Sequence, residues 1–337
     1  MSRSAKSTLA ALVLSALLPA QALAWGGMGH RIIGEAAQSA LPADLPAFLR
    51  SKEAILAAGE LAREPDRSKG AGKVHDQNRD AGHFVDLDDA GRVHGGPLIT
   101  ALPPTRADYE KAMQGVGLDS WKGGYLPYSI VDQSQQLAKD FAHWRAETYM
   151  LAHEKDRGRK AWLKADRARR EAQIFQTIGY LSHFVGDGAQ PLHVSIHYNG
   201  WGDYPNPAGY TNDKVHGPFE GNLVVDNLKT ADLMSVLSAP DVCKGPLEPC
   251  VAQYIATSHA QVVPFYEMQK AGGLKPGSRA GIEFARTRLA AGASELRDLI
   301  VWAWGASDTQ SVGWTPVPLK DILSGKVDAY GKLYGID

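Results

Sequence analysis

Thiols are almost absent: the 337-residue chain has two cysteines, Cys243 and Cys250. Such scarcity speaks against an exported zinc-storage protein, which would use many thiolates. The pair encloses Lys-Gly-Pro-Leu-Glu-Pro and has no histidine or further cysteine beside it. It reads as a small disulfide-closed loop, with zinc ligation by the pair as the sharper alternative. An excess of charge is lacking too, since 36 Lys and Arg stand against 37 Asp and Glu. No global basic field therefore advertises nucleic acid as a partner. Beyond the N-terminus no apolar run is long enough to cross a bilayer, and neither a low-complexity linker nor an internal repeat divides the chain.

What is present begins with a segment that reads as a secretory signal peptide. Arg3 and Lys6 precede an apolar run from Leu9 to Leu18, and Ala22-Leu23-Ala24 supplies small residues for cleavage before Trp25. The run is too short for a membrane anchor, which needs about 20 residues. The expectation is a signal peptide over 1–24 and one domain over 25–337, secreted or periplasmic.

Helical periodicity recurs in that domain and strand alternation does not, so the expected fold is all-α with long functional loops. The pattern predicts a first amphipathic helix carrying Ile32, Ile33, Ala36, Ala37 and Leu41 and stopped by Pro42, then helices over about 45–61, 129–154, 168–185, 231–237, 251–269 and 282–304. The charged stretch 154–170 mixes both signs and reads as a solvated helix turn rather than a nucleic-acid patch. Two stretches rich in Gly, Pro and Asn, 69–108 and 195–217, exceed ordinary connections, and chemistry is expected in or beside them.

The strongest chemical signal is His183-Phe-Val-Gly-Asp187-Gly-Ala-Gln-Pro-Leu-His193. On a helix His183 and Asp187 lie one turn apart and can share a cation, while His193 follows the helix-ending Pro191. His216-Gly-Pro-Phe-Glu220 repeats the His and carboxylate spacing, and Asp66, His83 and His30 extend the set. Imidazoles with carboxylates are the ligands expected of Zn²⁺ in hydrolytic sites. His75, His94, His143, His153, His197 and His259 match no motif and read as structural or exposed.

Together Trp25-Gly-Gly-Met-Gly-His30, His83-Phe-Val-Asp, the segment 183–193 and His216-x-x-x-Glu220 resemble the S1/P1 nuclease and zinc-dependent phospholipase C superfamily. The resemblance runs in order from Trp25 to about Val225. It implies a mostly α-helical fold of the phospholipase C/P1 nuclease type holding three zinc ions in a cleft. One ion would be bound by Asp66, His83, His183 and Asp187, and a second by His193, His216 and Glu220. The third would use His30, Asp187 and the amino group and carbonyl of Trp25. Asp66 and Asp187 would be the catalytic carboxylates, one orienting water and the other bridging two ions.

The motifs are mixed as to substrate. The short spacing from Trp25 to His30 and the Gln190-Pro191-Leu192-His193 run resemble the nuclease branch, whereas Glu220 resembles the phospholipase C branch. Where the nuclease pattern has Trp-Ala-Asp and then an arginine, this chain has Glu64-Pro65-Asp66 and then Lys69, so Asp86 or Asp88 could replace Asp66. Lys69 and the loop aromatics Tyr198, Trp201 and Tyr204 are candidate substrate contacts. Aromatics there can stack nucleobases or surround a quaternary ammonium, and some would simply pack the loop. The expectation is a zinc-dependent hydrolase of phosphodiesters in single-stranded nucleic acid, then one of phospholipid, then a zinc-binding protein without turnover.

Overall fold

Where apolar residues recur every three to four positions, the chain is helical in the computed structural model, which describes residues 25–334. The expected signal peptide over 1–24 lies outside the described residues. Helix α1 (Gly26–Ser39) is followed by α2 (Lys52–Leu61), the single turn α3 (Glu64–Arg67) and α4 (Lys73–Arg79). Next come α5 (Arg106–Gly115), α6 (Ser120–Gly123) and two long helices, α7 (Leu126–His153) and α8 (Arg157–Ala189). Short helices α9 (His216–Glu220), α10 (Asn222–Asn227) and α11 (Thr230–Leu233) lead to α12 (Leu247–His259), α13 (Val262–Lys270) and α14 (Arg279–Ala306). A small antiparallel pair, β1 (Ser311–Val312) and β2 (Val317–Pro318), precedes α15 (Leu319–Leu323) and α16 (Ala329–Leu333).

The main core lies where α1, α2, α7, α8 and α14 pack together. Ile32, Ile33, Ala36 and Ala37 of α1 meet Ile174, Ile178, Leu181 and Val185 of α8 and Leu289, Leu296 and Ile300 of α14 in one buried cluster. Gly179 permits close packing of α8, since a Cβ there would sit 2.4 Å from Leu61 Cβ. Buried Arg288 donates to Ala189 O at 2.9 Å and to Ser258 Oγ at 2.8 Å, tying the C-terminal end of α8 to α14 and α12. A second cluster joins Val312, Leu319 and Ile322 to Ala142, Ala146 and Leu163 on α7 and α8. Among the described residues no helix is long and apolar enough to cross a membrane.

Element boundaries depart from the sequence pattern for identifiable reasons. The predicted helix over 45–61 is a 3₁₀ turn, Ala47–Arg50, and then α2, because extended Ser51 starts anew as an N-cap accepting from Ala54 N at 3.1 Å. The one over 251–269 is two helices: Pro264 inside a continuous helix would clash with the carbonyl of residue 260. Helix α8 begins at Arg157, so the charged stretch is its solvated first half. Asp156 caps it by accepting from Arg159 N at 2.8 Å, and Arg169 pairs with Asp166 at 2.9 Å. The pattern did not predict α5 or the C-terminal elements. The Cys243–Cys250 disulfide is formed.

Candidate metal centre

Helix α8 supplies the frame. It sets His183 and Asp187 on one face, with Nε2 and Oδ2 3.3 Å apart, and ends at Ala189 because Gln190 must be extended before Pro191. His83, closing a 3₁₀ turn over Asp80–His83, brings Nδ1 to 3.1 Å from Asp187 Oδ2 and 2.8 Å from His183 Nε2. Asp66, on α3, places Oδ1 3.8 Å from His183 Nε2 and 3.9 Å from His83 Nδ1. From α1, His30 stacks on His183 with centroids 3.9 Å apart and directs Nε2 to 3.5 Å from Asp187 Oδ1. Gly186 makes room for that ring, since a Cβ there would lie 2.8 Å from His30 Nδ1.

The second half of the centre is built by the segment after α8. His193 Nε2 lies 3.1 Å from His216 Nε2 and 3.5 Å from Glu220 Oε1, and His216 Nε2 lies 2.8 Å from the same carboxylate oxygen. Three side-chain groups thus have ligand atoms close enough for a common ion: His30, Asp66 and His183; His83, His183 and Asp187; and His193, His216 and Glu220.

Backbone carbonyls set the protonation of these rings. His183 Nδ1–H donates to Ala62 O at 2.8 Å, His193 Nδ1–H to His83 O at 2.7 Å and His216 Nδ1–H to Tyr198 O at 2.8 Å. A carbonyl can only accept, so each neutral ring turns the Nε2 lone pair toward the centre. The facing His193 and His216 nitrogens, both lone-pair bearers in this tautomer, repel unless a proton or cation lies between them. Buried His30 Nδ1 and Nε2, Asp187 Oδ1 and Glu220 Oε2 have no hydrogen-bond partner. Orphaned buried polar atoms grouped in this way, with one lone-pair nitrogen on His30 and two carboxylate oxygens, fit a metal.

Electrostatics point the same way. Burial, with His183 nearby, holds His30 down at about 3, and burial holds His83 at about 4, so both are neutral ligands at neutral pH. Burial opposes the charge of His193 but Asp187 and Glu220 outweigh it, raising the ring to about 9. For Asp187, burial is overcome by His183 and His193, which hold its carboxyl well below the usual range. A cation replacing the proton on His193 would answer the same negative field.

The remaining candidates divide. Fully buried Trp25 adopts a left-handed backbone, φ 40°, and donates its indole N–H to Gly186 O at 2.7 Å, one residue before Asp187. Its carbonyl accepts from Gly29 N at 3.1 Å. Asp86 instead faces His94 at 3.6 Å, and Asp88 accepts from the amides of Ala90, Arg92 and Gly95, so Asp66 is the aspartate brought to the cluster. Lys69 Nζ is 2.6 Å from Asp66 Oδ1 as an ion pair, which commits its charge to that carboxylate. Tyr198 and Tyr204 are exposed. Trp201, expected as a substrate contact, is buried: it stacks on His197 at 3.7 Å and packs on Tyr210 and Tyr266, so it holds the loop together.

The sequence pattern points to substrate contacts at Lys69 and on the 195–217 loop and does not reveal a cavity of about 770 Å³ that opens on His83 from the side of α7 and α8. Tyr180 and Phe184 line it. They stand one turn apart on α8, the same spacing as His183 and Asp187, and that repeated spacing was the available signal. Compared with protein-family models and with curated proteins, the chain finds no match in either.

Proposed function

We propose that this chain is an exported, zinc-dependent phosphodiester hydrolase of the type its motifs resemble, with three zinc ions and a nucleic-acid strand as the leading substrate. The observation that carries this reading is the convergence of buried imidazoles and carboxylates, among which His30 Nδ1 and Nε2, Asp187 Oδ1 and Glu220 Oε2 lack protein partners. The mixed nitrogen and oxygen donor set suits zinc in a catalytic rather than a storage role. The helical fold and the Cys243–Cys250 disulfide, a bond that persists in oxidising compartments, agree with the type and with export.

Asp66, His83, His183 and Asp187 would hold one ion, and His193, His216 and Glu220 a second. His30 and Asp187, with the amino group and carbonyl of Trp25, would hold a third. Zinc so bound supplies Lewis acidity toward a phosphoryl oxygen and lowers the pKa of water. The chain's own residues do the rest. Asp187 turns Oδ1 toward His30 and Oδ2 toward His83 and His183, and so neutralises charge on both sides. Asp66 is kept ionised because His183 and Lys69 outweigh its burial. A carboxylate held that low accepts a hydrogen bond from water and orients it. Water oxygen then bonds to phosphorus while its proton passes by way of Asp66 to solvent, the ester P–O bond breaks, and the leaving oxygen takes up a proton from solvent.

The test is to purify the chain beginning at Trp25, load it with zinc, and assay single-stranded DNA, RNA, 3′-nucleotides and phosphatidylcholine side by side with metal analysis. Turnover of nucleic acid that disappears on chelation is expected. Less than one zinc per chain with full activity would overturn the metal role, and turnover of lipid alone would reverse the substrate order.

A further inference from the structure

The cavity that opens on His83 has a chemistry of its own. One wall is aromatic, with Tyr180 and Phe184 on α8, and Phe184 packs edge-on against both His83 and His183. The opposite wall carries Tyr125, against whose ring face the Arg106 guanidinium lies at 3.5 Å, and Arg79 from α4; Arg106 turns its Nε toward Glu110 Oε1, at 3.7 Å. Gly82 lets this wall close on the metal ligands, because a Cβ there would sit 3.0 Å from Tyr125 Cε2. Asp132 and Glu248 also line the cavity.

The Arg106–Tyr125 stack decides what this space accepts. A quaternary ammonium would share the cavity with the Arg106 and Arg79 charges, and one face of Tyr125 is already taken by the protein's own cation. Stacking restrains the guanidinium plane, and a planar, pre-oriented guanidinium is suited to gripping phosphate through two parallel N–H bonds. Tyr180 and Phe184 offer π surface on which a planar ring can stack.

We infer that the cavity between α4, α7 and α8 is a substrate subsite in which Arg106, stacked on Tyr125 and assisted by Arg79, holds a second, non-scissile phosphate of a nucleic-acid strand. Phe184 and Tyr180 receive the adjoining base. The inference rests on the hydrolase reading for what the cavity positions, and it makes Arg106 a specificity-determining residue that favours polyanions over zwitterionic lipid. The phosphate cut at the metal centre and the phosphate held by Arg106 belong to neighbouring linkages. A substrate with one phosphate alone gains nothing from Arg106.

The experiment measures equilibrium binding of a labelled, phosphorothioate-linked oligothymidylate to the zinc-loaded protein by fluorescence anisotropy over a range of salt. Arg106→Gln, at an exposed position, is expected to weaken binding about ten-fold. It should also reduce the slope of log K against log salt by about 0.7, the value for one lost contact on a single strand. Phe184→Leu is expected to weaken binding with the slope unchanged, and Lys164→Gln, on the distal half of α8, serves as the charge control. Equal effects of Lys164→Gln and Arg106→Gln, or displacement of the oligonucleotide by phosphatidylcholine micelles, would overturn the inference. Hydrolysis of bis(p-nitrophenyl) phosphate is read in parallel. If it is absent while Arg106-dependent binding holds, the hydrolase reading falls and the phosphate subsite stands.

Discussion

Asp187 and Glu147 are both buried carboxylates on long helices, and their surroundings give them opposite properties. Asp187 faces His30, His83, His183 and His193 within 3.7 Å and is held ionised. Asp187→Asn removes the charge that faces four histidines and that would bridge two ions in the proposed site, whereas His193→Ala removes one member of one group. The aspartate variant is expected to lose activity by more than about 100-fold, and His193→Ala by about 10–100-fold. Zinc content and rate of the two variants check this, and equal values would break the proposed bridge. Glu147 meets Tyr334 OH at 3.2 Å and the Arg170 guanidinium at 3.7 Å, and burial, reinforced by the neighbouring Asp166, pushes it up to about 7. Between its ordinary value of 4.5 and 7 the folded state therefore binds more protons than the unfolded state, so stability falls as pH rises through that window. The loss amounts to at most about 3 kcal/mol. Glu147→Gln is expected to raise Tm at about pH 8 and to make little difference near the unfolded pKa. Thermal melts at the two pH values decide it.

At the scale of elements, one end of α8 gathers most of the centre, and its neighbours are held there by backbone hydrogen bonds. Ala62 after α2 fixes the His183 tautomer, and His83 O fixes that of His193. Tyr266 on α13 donates to His197 O at 2.6 Å and accepts from Gly200 N at 3.1 Å, clamping the loop that carries Tyr198 O to His216. The contact of α1 with α8 depends on Gly186. Gly186→Ala would gain about 1 kcal/mol of helix propensity, yet its Cβ would press on His30 Nδ1 at 2.8 Å. The expected outcome is an intact helical circular dichroism spectrum with less bound zinc and a rate lowered at least about ten-fold. Unchanged zinc stoichiometry would show that the His30 ring can move without loss.

For the whole molecule, ions bound only by the folded state should add to its stability. Chelation is therefore expected to lower Tm by an amount that grows with the free zinc concentration of the reference sample. A chain retaining Met ahead of Trp25 replaces the terminal amine by an amide, a poor ligand, and should lose one zinc per chain with a rate reduced by orders of magnitude. Mass, zinc content and rate on both termini test that role, and full activity with three ions in the extended protein would reduce Trp25 to a packed aromatic. Much of this architecture was legible in the chain itself. Periodicity marked the long helices, the spacing of His183 with Asp187 and of His216 with Glu220 marked one-turn pairs of imidazole and carboxylate, and two isolated cysteines marked their disulfide. These are local relations, set by helix geometry and short chain distance. Long-range packing alone could bring His30, Asp66 and His83 to α8, choose Asp66 over Asp86 and Asp88, and bury Trp201. It also assembled Arg106, Tyr125 and Phe184 around one cavity, because each comes from a different element and no sequence spacing records which helix faces meet.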